Sequence, residues 1–185
     1  MIVLKDKNKV YLVESIYTFS TFGRLEHCLV EENVPIFRMK GSTAIAGSDS
    51  CANVDDFRYV RIPVPKQLNL VDLKTKTMPR IKQLWRDMGR DDEDGRFERI
   101  VIAKDDKAFV YNSNDVLIEI DDAYAIGLYS EAINYALKAT KGLSVQQRVR
   151  KVYQYVQEMT GAAMFPLFVM DTVSKKLQII EEEKK

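Results

Sequence analysis

Three short stretches of this 185-residue chain set reactive groups side by side. Gly41-Ser42-Thr43 places two hydroxyls after a glycine, Glu26-His27-Cys28 sets an imidazole beside a thiol, and RDDEDGR at 90–96 gathers four acids. Nucleophilic catalysis needs a hydroxyl or thiol within hydrogen-bond reach of a base. His27 is the sole histidine, and on a strand its side chain points away from that of Cys28. The acids of RDDEDGR are consecutive and flanked by arginines, whereas a calcium loop alternates its ligands over twelve residues; the run reads as a solvated loop. No metal site and no cofactor is expected.

Composition narrows the partners. With 46% hydrophobic residues the chain is long enough for one substantial core, and a formal charge of +1 gives no field that would favour nucleic acid. Tyr129, Tyr135, Tyr153 and Tyr155 interleave with Lys138, Arg148, Arg150 and Lys151, a pattern that suits single-stranded nucleic acid, but helix-flank and core tyrosines explain it better. No stretch approaches the roughly 20 apolar residues that span a bilayer, and the start MIVLKDKNKVYLV has no signal-peptide core. The expectation is a cytoplasmic protein, without membrane or nucleic acid, whose Cys28 and Cys51 are reduced thiols.

The elements that must position any site follow from periodicity. IVL and VYLV around KDKNK read as a hairpin, and IFRMKGSTAIAG supplies further strand pattern in a β-rich first third. FRYVRIPVP reads as extended or edge structure because its prolines remove ladder donors. Met78, Ile81, Trp85 and Met88 at helical spacing predict a helix over 77–89, capped by Thr77 and stopped by Gly89. ERIVIAK, KAFVYN, VLIEI and AYAIG are expected to be consecutive antiparallel strands. Two helices follow. The first begins at Ser130, read as its cap, and ends at Gly142; the second opens with the capping box Ser144-Val-Gln-Gln147, buries Val145, Val149, Val152, Val156 and Met159, and stops at Gly161. LFVMD and LQII close the chain as a strand pair. This order predicts an α+β fold, a four-layer αββα sandwich, in one domain over 1–180 with a polar tail at 181–185.

RIVIAKDDKAFVYNSNDVLIEIDDAYAIG (99–127), followed by a small-residue turn and the helix led by LSVQQRVRKV, resembles the proteasome β-subunit and HslV-type group of N-terminal nucleophile hydrolases. STAIAGSDSCANVDDF (42–57), with its Gly47 turn, is a weaker match, and FRYVRIPVP departs from the family's first long helix. The resemblance implies the αββα fold and a chemistry in which an exposed N-terminal threonine attacks a peptide carbonyl with its own amine as base.

Aligned on IVL, however, this chain offers Met1 at the nucleophile's strand, Ser15 where the family has an aspartate and Pro35 where it has a lysine. Leu128 stands where it has a serine and Ala162 where it has a second aspartate. Together with Gly47, Gly127 and Tyr129 these residues outline a vestigial cleft, which Leu128 and Tyr129 are expected to fill. The resemblance then implies a subunit without catalytic residues that acts by assembly, as a homo-oligomer or with another proteasome-like subunit. An active threonine, serine or cysteine peptidase or amidohydrolase of the same fold with an unrecognised processing site, for example after Gly41 to expose Ser42 or Thr43, is the alternative; a small-ligand or peptide-binding module in the cleft is another.

Overall fold

The computed structural model describes residues 1–15, 17–19, 25–27, 37–40, 43–48, 62–87, 99–112, 116–127, 129–161 and 164–182, with backbone alone for Trp85 and the strands between 17 and 48. The strands are β1 (Ile2–Asp6), β2 (Lys9–Ser15), β3 (Tyr17–Phe19), β4 (Leu25–His27), β5 (Phe37–Lys40), β6 (Thr43–Ser48), β7 (Arg99–Lys104), β8 (Lys107–Asn112), β9 (Leu117–Glu119), β10 (Ala123–Ala125), β11 (Leu167–Asp171) and β12 (Leu177–Ile180). Helix α1 is continuous through Leu70–Asp72, a π-helical stretch Leu73–Thr77, and Met78–Asp87; α2 is Ser130–Ala139 and α3 is Val145–Thr160.

Two five-stranded antiparallel sheets face each other, one ordered β10-β1-β2-β11-β12 and the other β5-β6-β7-β8-β9. Alternation along β1 and β2 sorts their side chains between layers. Val3, Val10 and Leu12 meet Val101, Ala103, Ala108 and Val110 between the sheets. Ile2, Leu4 and Val13 turn outward onto Ile133, Leu137, Val149, Val152 and Val156 of α2 and α3. On the other side Ile100, Ile102 and Phe109 pack under Leu73, Met78 and Ile81 of α1. The layers are therefore α, β, β, α, as the strand and helix order predicts.

The structure corrects several local expectations. AYAIG does not extend the β7-β8-β9 meander: β10 crosses to the other sheet and pairs with β1, Ile2 opposite Ala125. Helix α1 starts seven residues earlier than Thr77, because Asn69 caps it by accepting from the Asp72 amide. Thr77 is instead buried inside it, its hydroxyl donating to the Pro63 carbonyl at 2.9 Å. Met159 lies 48% exposed, outside the apolar stripe of α3. The Ser144 capping box is present, and Gly161 ends α3 with φ +69°, a left-handed backbone that suits glycine. Met88, Gly89, RDDEDGR, Cys28 and Cys51 lie outside the described residues.

Candidate functional site at one end of the sheet sandwich

The register decides which strand ends share an edge. Ile2 faces both Val13 and Ala125, and Leu167 faces Ser15, so the starts of β1 and β11 and the ends of β2 and β10 lie together. In the other sheet Arg99 pairs with Ser48 and Asn112. Arg99 Nη1 donates to Ser130 Oγ at 3.3 Å, tying that edge to the turn after β10. This end of the sandwich thus collects Met1, Gly127, Gly47 and the start of α2.

At its centre is the amino group of Met1, which donates to the Ile126 carbonyl at 3.0 Å while the Ile126 amide donates back to the Met1 carbonyl at 3.0 Å. Burial pushes the amine below its ordinary range, and the negative charge of Glu14 opposes that shift. The β1–β2 register continues past Ile2 and Val13 to set Met1 beside Glu14. The Met1 side chain packs on the inter-sheet cluster of Val3 and Leu12. The side chain at the same residue is a thioether, with no hydroxyl or thiol that the amine could activate.

Ser15 shares the face of Val13 and Leu167, toward the helices, and its hydroxyl donates to the Met164 carbonyl at 2.7 Å. Glu14, which the sequence reading passed over, is the residue of β2 whose charge reaches the amine; the signal was its parity with Val10 and Leu12. Gly127 adopts φ +91°, a conformation costly for residues with a Cβ. Tyr129, expected to fill the cleft, packs instead on the core between sheet and helices, and it takes the N-cap position of α2 with φ +62°; Ser130 is the first helical residue, not the cap. Gly47 pairs with Ile100 one step from the Arg99 end. Pro35, Ser42, Leu128 and Ala162 lie outside the described residues.

The opposite end is closed by Thr172, whose hydroxyl accepts from the Val10 amide at 3.1 Å and donates to the Asp105 carbonyl at 2.5 Å. Thr43 belongs to that end. It pairs with Lys104, five residues along β6 from Ser48, roughly 17 Å from the Met1 edge at a strand's rise. The structure therefore does not bring Thr43 together with Met1 and Gly127. Among the described residues no three histidine, cysteine or acidic side chains converge as a metal site would require. Nor is any helix among them long and apolar enough to cross a membrane.

Two facing antiparallel sheets between helical layers, with strands and helices in this order, define an N-terminal nucleophile hydrolase fold of the proteasome type. Solved structures carry the same fold. Thiobacillus denitrificans BPH in complex with epoxomicin is similar over 92% of this chain and 96% of its own, with 15% identity and a TM-score of 0.71. Anbu (ancestral beta-subunit) from Yersinia bercovieri matches over 98% and 87%, with 11% identity and a TM-score of 0.61. Eukaryotic HslV from Trypanosoma brucei matches over 92% and 97%, at 10% and 0.60. No protein-family model matches the sequence, and no curated protein does. At these identities the likeness is one of fold.

Proposed function

We propose that this chain is a proteasome- and HslV-like subunit that has lost threonine-peptidase activity and works by assembly in the cytoplasm. It acts as a homo-oligomer or beside another proteasome-like subunit, as a single domain over 1–180 with 181–185 as a tail, and without nucleic acid, membrane or cofactor. The observation that supports this best is at the first position of β1. Met1 brings an amine to the end of the sandwich that holds Ile126, but its side chain is a thioether packed against the cluster of Val3 and Leu12. Assembly is supported by the likeness to a protein described as an ancestral beta-subunit.

Processing after Gly41 would separate β1 and β2, neighbours at the middle of their sheet, from the rest of the chain, and would expose a hydroxyl near the end remote from Met1. Intact-mass measurement and N-terminal sequencing, with a peptide epoxyketone as probe, test the loss of activity. A chain beginning at Met1 with no adduct is the expected result; a mature chain beginning at Ser42 or Thr43, or a stoichiometric adduct, overturns it. Light scattering tests assembly, which a strict monomer at tens of micromolar would exclude.

A further inference from the structure

The sheet that contains β1 ends in two edges of different character. The outer edge of β10 is covered by Asn134, whose side-chain amide bonds both backbone groups of Ala125. At the other edge β12 pairs with β11, and among the described residues no strand pairs with its far side. Edge strands are commonly guarded by a charge, a proline or a bulge. The four residues of β12, Leu-Gln-Ile-Ile, carry none of these: their register with β11 runs unbroken from Leu177 opposite Met170 to Ile180 opposite Leu167. Leu177 is 37% exposed and Ile179 52%, on the face they share with Met170. The charges lie beyond the two ends. Lys175 and Lys176 precede the strand, Glu181 and Glu182 follow it, and all four are exposed. Arg150 Nη1 donates to the Glu181 carbonyl at 2.9 Å and Gln157 Nε2 to Glu182 Oε1 at 2.5 Å, which fixes the acidic end against α3.

Resting on the assembly reading, we infer that the free edge of β12 pairs antiparallel with β12 of a second copy, across a two-fold axis normal to the sheet. A strand that is uncharged in the middle, basic at its start and acidic at its end is its own complement in that arrangement. Isologous contacts require such self-complementarity. The axis keeps the helix-side face of one copy level with that of the other, so only residues of equal parity stand opposite each other. With Gln178 on the axis, Leu177 of each copy faces Ile179 of the other, and these exposed apolar side chains cover one another. Lys175 then stands opposite Glu181, and Lys176 lies diagonal to Glu182, within reach of a long side chain. Main-chain hydrogen bonds between the edges supply the affinity. The flanking charges fix direction, because a parallel pairing would lay lysine on lysine and glutamate on glutamate.

The test uses the full chain, the variant Ile179→Lys, and two double variants, K175E/K176E with acids at both ends of the strand and E181K/E182K with bases at both. Circular dichroism checks the fold of each. In the wild type, amide exchange at β12 should slow as concentration rises from low to high micromolar, because its outward N–H groups gain acceptors. Sedimentation equilibrium should show association weakened about tenfold or more in each variant, and an equimolar mixture of the two double variants should recover it. Should loss of the Gln157 contact unfold E181K/E182K, the exchange measurement and Ile179→Lys decide by themselves. A wild type that associates with unchanged exchange at β12, or no more tightly than Ile179→Lys, makes this edge wrong while the assembly reading stands. A mixture that stays dissociated overturns the antiparallel charge pairing; a strictly monomeric wild type overturns both readings.

Discussion

The guanidinium of Arg148 grips both carboxylate oxygens of Asp122, Nη1 to Oδ1 at 2.8 Å and Nη2 to Oδ2 at 2.7 Å, and also donates to the Leu137 carbonyl. One buried side chain of α3 thereby holds the end of α2 and the segment just before β10. The Asp122 carbonyl in turn accepts from the Lys5 amide at 2.6 Å. These contacts draw the chain out of the β7-β8-β9 sheet and deliver β10 to the edge of β1, where Ile126 meets Met1.

Replacing Asp122 with Asn should therefore cost more than a surface ion pair. Arg148 would remain buried with its charge uncompensated, a situation that costs about 3–5 kcal/mol when both partners are buried. Asp122 is 39% exposed, and solvent screening reduces the loss to about 2 kcal/mol. Denaturant unfolding should read that loss directly, and thermal unfolding should fall by about 4–8 °C.

The same pair sets an acid limb in stability. The Arg148 hydrogen bonds hold the Asp122 carboxyl below its ordinary range. A carboxyl depressed in the folded state contributes stability above its unfolded pKa, near 4, and loses it as pH falls through the folded value. Wild type and Asp122→Asn should therefore differ most near neutrality and converge as pH drops below about 4; a gap that stays constant to pH 2 would contradict the assignment.

Asn134 of α2 mimics a neighbouring strand. Its Oδ1 accepts from the Ala125 amide at 2.8 Å and its Nδ2 donates to the Ala125 carbonyl at 3.3 Å, which covers the outer edge of β10. Asn134→Leu should leave both backbone groups without that partner, at about 1–3 kcal/mol, and expose a pairing edge. A lower denaturant midpoint together with earlier light scattering on heating is the expected pair of readouts.

Thr172 is fully buried and links β2 to the β7–β8 turn, so Thr172→Val keeps the shape but removes the link. The loss should be about 1–3 kcal/mol. Faster amide exchange at Val10 should accompany it, since that N–H loses its acceptor; unchanged exchange there would contradict the bridge.

Local sequence signals were enough for the layers and for both ends of α3. Period-two runs such as RIVIAK and KAFVYN, the Ser144–Gln147 capping box and the Gly161 stop are local signals whose physics is complete within a few residues. The sequence also placed a thioether, Met1, directly before β1, because residue type needs no geometry. What it could not determine was decided by contacts between distant residues. AYAIG looks like one more strand of the preceding meander until Arg148 and Lys5 hold Asp122 and send it to β1. Thr77 has the composition of a cap, but Asn69 starts the helix and the Pro63 carbonyl takes the Thr77 hydroxyl. Strand parity, once the register is fixed, turns Ser15 toward the helices and leaves Glu14 as the charge that reaches the Met1 amine.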